Sequence, residues 1–248
     1  MITSVKNETV KQWNKLKIKK HREQQQQFLV EGVHLVQEVL ASDWEVETII
    51  LQDGVTIPIE VPSEKSTYVT ENVMQHLTDT KTPQGIVAIV RMKESDLKNK
   101  QKLLLLDAIQ DPGNVGTMIR TADAAGFDGI VLGDGTVDLY NDKVIRSSQG
   151  SIFHLPILRT NLLEYTQELK QGDITIWGST LEQASPIHEL KVPKKVALIV
   201  GNEGAGVSQE LLKEADQRVH IPIFGQAESL NVSVATGIML YQIVTAKQ

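Results

Sequence analysis

The stretch Leu198-Ile199-Val200-Gly201-Asn202-Glu203-Gly204-Ala205-Gly206-Val207 constrains the chain most. Val196 to Val200 are apolar and mostly β-branched, the composition of a buried strand. Gly201, Gly204 and Gly206 follow within six residues, and Ser208 to Leu212 then reads as the start of a helix. A strand that empties into a glycine-rich turn belongs to an open α/β sheet, whose ligands bind at the carboxyl ends of the strands. Glycines there permit positive φ and close approach of the backbone to a ligand. The spacing is G-x-x-G-x-G, not the G-x-G-x-x-G of dinucleotide folds, which weakens a Rossmann reading. A plain turn after a strand would need no ligand.

Composition narrows the class. A chain of 248 residues with 41% hydrophobic residues builds one large or two modest domains. The absence of cysteine excludes disulfides, thiolate metal sites and a cysteine nucleophile, and suits a reducing cytosol. Met1 to Lys6 lacks an apolar signal region, and the apolar runs are far shorter than the ~20 residues of a membrane span. The expectation is a cytoplasmic protein without membrane or metal partners.

The net charge of −6 argues against nucleic acid, but its distribution argues the other way. Lys6, Lys11, Lys15, Lys17, Lys19, Lys20 and Arg22 face only Glu8 and Glu23 in the first 27 residues. Lys15, Lys17, Lys19, Lys20 and Arg22 are the candidate contacts to RNA or DNA phosphate; the competing reading is a solvated face. Arg91, Lys93, Lys98, Lys100 and Lys102 form a second basic cluster.

In chain order, Val10, Trp13, Leu16 and Ile18 form the apolar stripe of a basic helix over 6–20. Strands are expected at 28–30, 46–51, 67–69 and 85–90, with helices over 33–40 and 73–77. This is a small α/β domain over 1–92, followed by a charged linker over 93–102. The second domain, 103–248, opens with the buried strand Leu103 to Leu106. Asp107 to Asn114 reads as a loop turned by Pro112-Gly113, with Asn114 as N-cap of a helix carrying Val115, Met118, Ile119, Ala122 and Ala125. The strand 129–132 completes a βαβ unit and implies a parallel sheet. Helical stretches at 142–150 and 162–169 follow, then a strand at 174–177, a turn at Gly178-Ser179-Thr180, a strand at 219–223 and a last helix over 232–244.

Several residues could carry chemistry. Arg120, near the start of its helix, either pairs with Asp123 at i+3 or reaches back to hold an anion. Ser229 or Asn231 suits the N-cap of the last helix, where free amides would also suit a polar ligand. His34, His154, His188 and His220 lack metal-ligand spacing and read as structural.

Three of these stretches resemble the SpoU/TrmH family of the SPOUT superfamily, S-adenosylmethionine-dependent RNA 2′-O-ribose methyltransferases. They are Asp111-Pro112-Gly113-Asn114-Val115-Gly116-Thr117-Met118-Ile119-Arg120-Thr121-Ala122; Ile199 to Gly206; and Ile221-Pro222-Ile223 leading into Glu228-Ser229-Leu230-Asn231-Val232-Ser233-Val234-Ala235. The resemblance covers Leu103 to Gln248. Phe28 to Leu40 and Thr82 to Ala88 resemble the substrate-binding domain often fused ahead of it. The resemblance implies an α/β domain with a parallel sheet and a carboxyl-terminal trefoil knot, preceded by a small α/β RNA-binding domain, and a homodimer. It implies S-adenosylmethionine held by Ser179, Thr180, Val200, Gly201, Asn202, Gly204, Gly206, Ile221, Ser229 and Leu230. Arg120, Asn114, Glu203, Ser229 and Asn231 match the family's catalytic positions.

The implied reaction is displacement of a sulfonium methyl by a ribose 2′-oxygen. A guanidinium is a poor proton acceptor, so Arg120 is better suited to holding phosphate and 2′-oxygen in line. Family analogy favours 23S ribosomal RNA as substrate. Alternatives are transfer RNA, a non-catalytic RNA-binding protein on the same scaffold, and a nicotinamide enzyme, which lacks its glycine fingerprint here.

Overall fold

The computed structural model describes residues 1–246. The chain forms two compact units: Met1–Glu94 with Asp138–Phe153, and Ser95–Val137 with His154 onward.

The first unit runs α1 (Glu8–Lys15), α2 (Lys19–Gln25), β1 (Gln27–Glu31), α3 (Val33–Ala41), β2 (Val46–Gln52), β3 (Ser66–Val69), α4 (Glu71–Leu77) and β4 (Ile86–Arg91). Its sheet has the order β1-β4-β2-β3, antiparallel except for β2 with β3. Val10, Trp13 and Leu16 of the amino-terminal segment pack with Val73, Met74 and Leu77 of α4 over Ile50, Val87 and Ile89. One basic helix was expected over 6–20; there are two. Asn7 caps the first, and Ile18 is the extended N-cap residue of the second, so its side chain is exposed rather than part of the stripe.

The second unit contains β5 (Lys102–Asp107), α5 (Pro112–Ala124) and β6 (Gly129–Leu132). The chain then donates α6 (Asp142–Ser148) to the first unit. It continues as β7 (Ile157–Arg159), α7 (Leu162–Gln171), β8 (Thr175–Ser179), β9 (Ser185–Pro186), β10 (Val196–Gly201), α8 (Gln209–Glu214), β11 (Gln217–His220) and α9 (Val232–Thr245). The sheet is parallel throughout, in the order β7-β6-β5-β10-β8-β11-β9. One face packs Leu103, Leu105, Ala197 and Ile199 under Leu162 and Leu169 of α7 and Leu211 and Leu212 of α8. The two central strands, β5 and β10, are buried almost end to end, hence their continuous apolar sequence.

Three boundaries differ from expectation for local reasons. Pro112 opens α5 instead of turning a loop, because its missing N–H and fixed φ suit the first helical position. Ser179 ends β8 instead of lying in a turn, and β11 stops at His220 instead of Ile223. Pro222 has no N–H for the ladder.

The linear domain boundary at 103 also misses the exchange of Asp138–Phe153. Aromatic contacts and a buried ion pair hold that segment. Phe28 meets Tyr140 with ring centroids 4.5 Å apart, and Trp44 meets Phe153 edge-on at 5.5 Å. Arg22 is only 6% exposed. Its guanidinium donates to the carbonyls of Leu16 (2.9 Å) and Lys17 (2.8 Å), and to Asp138 Oδ2 at 2.5 Å. Arg22 is therefore a structural anchor that ties the end of α1 to residue 138, and its place among the RNA contacts is corrected. Removing one partner of a buried pair leaves an uncompensated charge. Asp138→Ala should destabilise this unit by about 3 kcal/mol, measured by urea unfolding of Trp13 and Trp44 fluorescence in a Trp177→Phe background. A loss below about 0.5 kcal/mol, as for an exposed pair, would refute the anchor.

Candidate active site at the carboxyl edge of the parallel sheet

The carboxyl ends of β5, β10 and β11 lead into the three stretches singled out in the sequence, and that of β8 into Ser179-Thr180. The turn after β10 is built largely for itself. The Asn202 side chain accepts from the N–H groups of Gly204 (2.9 Å) and Ala205 (3.1 Å). Its amide nitrogen donates to the Ala108 carbonyl beyond β5 at 2.9 Å. A Cβ on Gly201 would sit 2.1 Å from the Gly206 carbonyl carbon and the Val207 nitrogen. Gly201 is thus dictated by the turn folding back on itself, not by a ligand, and Gly206 is needed for φ +71°. Asp107, at the end of β5, accepts from the Ser208 N–H at 2.8 Å just before α8.

Glu203 connects this turn to the start of α5. Its carboxylate accepts from the N–H groups of Gln110 (3.3 Å) and Asp111 (3.1 Å) and from Asn114 Nδ2 (3.0 Å). Asn114 Oδ1 in turn accepts from Asn231 Nδ2 at 3.2 Å. Asn231 Oδ1 accepts from Ser233 N (2.9 Å) and Val234 N (3.3 Å), capping α9 as expected. The chain of bonds fixes its own amide orientations. An ionised carboxylate only accepts, so Asn114 must turn its NH₂ to Glu203 and its oxygen to Asn231. Partial burial pulls the Glu203 pKa up, but hydrogen bonds from Asn114 and from backbone N–H groups outweigh it and hold the carboxyl below its ordinary value.

Asn114 is not the cap of α5. That position is Asp111, whose Oδ1 accepts from Asn114 N at 2.9 Å, leaving the Asn114 side chain for the site. Arg120 lies six residues further, roughly 9 Å along the axis, two turns into the helix instead of near its start. It does not pair with Asp123, which binds His154 Nδ1 at 2.8 Å. Arg120 is exposed and has no ionic or hydrogen-bonded partner among the described residues.

A cavity of about 650 Å³ opens beside this network, within the range of small-molecule sites. Ser179, Thr180, Gly201, Asn202, Gly204, Gly206, Ile221, Ser229 and Leu230 line it, with Glu203 and Asn231. Val200 does not: it is buried in β10 beside Leu106. Arg120 and Asn114 lie outside the lining. Sequence reasoning missed Glu182, Val219, His220 and Met239 of the wall, and only the position of Glu182 just past Ser179-Thr180 could have signalled one of them.

The residues fit a cationic, adenosine-bearing ligand. Leu212, Val219, Ile223 and Met239 offer apolar contact, and Glu182 and Glu203 offer negative charge. Nδ1 of His220, on the same wall, is buried with no hydrogen-bond partner, a polar atom that protein contacts alone leave unsatisfied. Among the described residues no group of three or more His, Asp or Glu could hold a metal, and no helix is long and apolar enough to cross a membrane.

The lysines divide. Lys15, Lys19 and Lys20 are exposed, whereas Lys17 is half-buried, donating to the Thr78 carbonyl (3.0 Å) and Asp79 (2.9 Å). In the second basic cluster, Arg91 pairs with Glu45 and Glu47, and Lys93 with Asp43, so those charges are neutralised locally.

Comparison with known proteins agrees with this geometry. Residues 101–241 match the SpoU rRNA Methylase family, and residues 7–88 match the MRM3-like substrate binding domain. The chain is 48% identical over 243 residues to the 23S rRNA (guanosine(2553)-2′-O)-methyltransferase RlmP of Bacillus subtilis (strain 168), covering 98% of each. The AdoMet-bound rRNA methyltransferase from Sinorhizobium meliloti superposes with TM-score 0.87 at 32% identity, covering 98% of this chain and 96% of the other. AviRb from Streptomyces viridochromogenes, solved in complex with AdoMet, superposes with TM-score 0.84 at 27% identity, covering 96% and 97%. With that match over most of its length, and with two of the three stretches lining one cavity while the third is bonded to them through Asn114, the chain belongs to the SpoU rRNA methylase family.

Proposed function

We propose that this protein methylates a ribose 2′-hydroxyl of 23S ribosomal RNA with S-adenosylmethionine, at the nucleotide equivalent to the guanosine 2553 named for its Bacillus subtilis relative. The observation that carries the reading is the bonded chain Glu203–Asn114–Asn231, whose two ends, Glu203 and Asn231, line a cofactor-sized cavity. When bound, S-adenosylmethionine supplies a methyl carbon on a sulfonium centre. The 201–206 turn and Ile221, Ser229 and Leu230 would hold it, with Glu182 and Glu203 complementing its positive charge. Arg120, exposed and with no ion pair among the described residues, would hold the RNA phosphate and so orient the ribose 2′-hydroxyl toward the methyl donor. Asn114 and Asn231 position Glu203 and the loop that carries Ser229.

The first unit serves as the RNA substrate-binding domain, with Lys15, Lys19 and Lys20 on phosphate. The enzyme works as a cytoplasmic homodimer. In support, α9 buries Ser233, Thr236, Met239 and Leu240 on one side, while Val234, Ile238 and Tyr241 are 52%, 38% and 48% exposed on the other. That spacing makes a continuous apolar stripe for a second copy to cover. The trefoil knot is inferred from membership of the family alone.

Replacing Arg120 by Ala should lower turnover roughly 100-fold or more and leave S-adenosylhomocysteine affinity by calorimetry unchanged; parental turnover would mean that the centre is misassigned. Reversing Lys15, Lys19 and Lys20 to Glu should weaken RNA binding and flatten its salt dependence by about 0.7 per lost contact. An unchanged slope would remove this face from the interface. The third test concerns pH. A carboxyl with a lowered folded-state pKa stabilises fully above its ordinary value of 4.5, and that contribution fades as pH falls through the lowered value. The stability gap between the parent and Glu203→Gln should therefore be widest near neutrality and close in acid. A gap constant with pH in urea titrations would argue against an ionised Glu203 in the network.

A further inference from the structure

The segment 221–231 between β11 and α9 lines the cavity through Ile221, Ile223, Ser229, Leu230 and Asn231. Phe224, next to Ile223, stays out of the lining and is 94% exposed. Phe28, Phe127 and Phe153, the other phenylalanines, are all buried. Gly225 follows, where an added Cβ would meet nothing within 4 Å, so the ring stands on an uncrowded rim. Among the described residues nothing accounts for a phenyl ring held in water at the edge of a methyl-transfer site.

The reaction itself supplies a partner. A ribose cannot bring its 2′-oxygen to the cavity without bringing its base, or its neighbour's, to the rim. Bases of unpaired RNA are recognised by stacking on aromatic rings, and any base offers a π face. We propose that Phe224 is a stacking platform for a nucleobase at or next to the methylated nucleotide. This rests on the assignment of the cavity to the methyl donor and of RNA as substrate. The competing occupant is the second copy of the chain.

The test uses the full chain and a transcript of the 23S segment that holds the target nucleotide. Phe224→Ala should raise KM for the transcript roughly tenfold, with S-adenosylhomocysteine affinity unchanged. Phe224→Trp should keep the parental KM, and its added emission, above that of Trp13, Trp44 and Trp177, should be quenched by the transcript. Phe224→Leu should behave as Ala does, since it keeps apolar surface without a π face. Parental KM in the Ala variant, a Leu variant as good as Trp, or an emission that the transcript does not change would each overturn the proposal. So would conversion of a dimer to a monomer by Phe224→Ala in light scattering, which would give the ring to the subunit interface. A parent chain that fails to bind S-adenosylhomocysteine would sink the cavity assignment instead, while the Trp emission with RNA would still decide the stacking.

Discussion

One ionised carboxylate organises the site. Glu203 draws two backbone N–H groups from the start of α5 and the amide of Asn114, and Asn114 passes the polarity on to Asn231 at the head of α9. Three segments up to 117 residues apart in sequence are thus fixed by a donor and acceptor order that permits a single arrangement. Charge-assisted bonds are stronger than neutral ones, so ionisation of Glu203 sets the orientation of everything downstream.

Around that network the sheet supplies rigidity. β5 and β10 are buried, parallel neighbours, and their ends present Asp107 and Gly201 side by side. From there Asp107 receives the amide of Ser208, and Asn202 ties its own turn to Ala108. The glycine-rich turn is held by its own hydrogen bonds and by its tie to Ala108. Its amides and the cavity above them are therefore preorganised, which reduces what ligand binding must spend on ordering.

The first unit shows another way of using the chain. A segment from the middle of the sequence, Asp138–Phe153, folds with residues 1–94 through Arg22, Phe28 and Trp44. The same basic run that reads as one RNA-binding face is split by burial. Arg22 is consumed by the fold and Lys17 partly so, while Lys15, Lys20 and Lys19, the last beside Glu23, remain exposed.

Most of the strands, the parallel sheet and the three stretches of the site are legible in residue order alone, because alternating or continuous apolar runs and glycine turns are local signals; the short edge strands β7 and β9 and the return of 138–153 to the first unit are not. The resemblance of those stretches identified the family. Tertiary structure alone decided which polar residues serve which purpose. Asp111 took the cap and freed Asn114, Asp123 went to His154 and freed Arg120, and Gly201 answered to its own turn while Val200 sank into the core. Periodicity places a residue on a face, but a hydrogen-bond partner from a distant segment is set by packing, and nothing within a window of neighbouring residues encodes it.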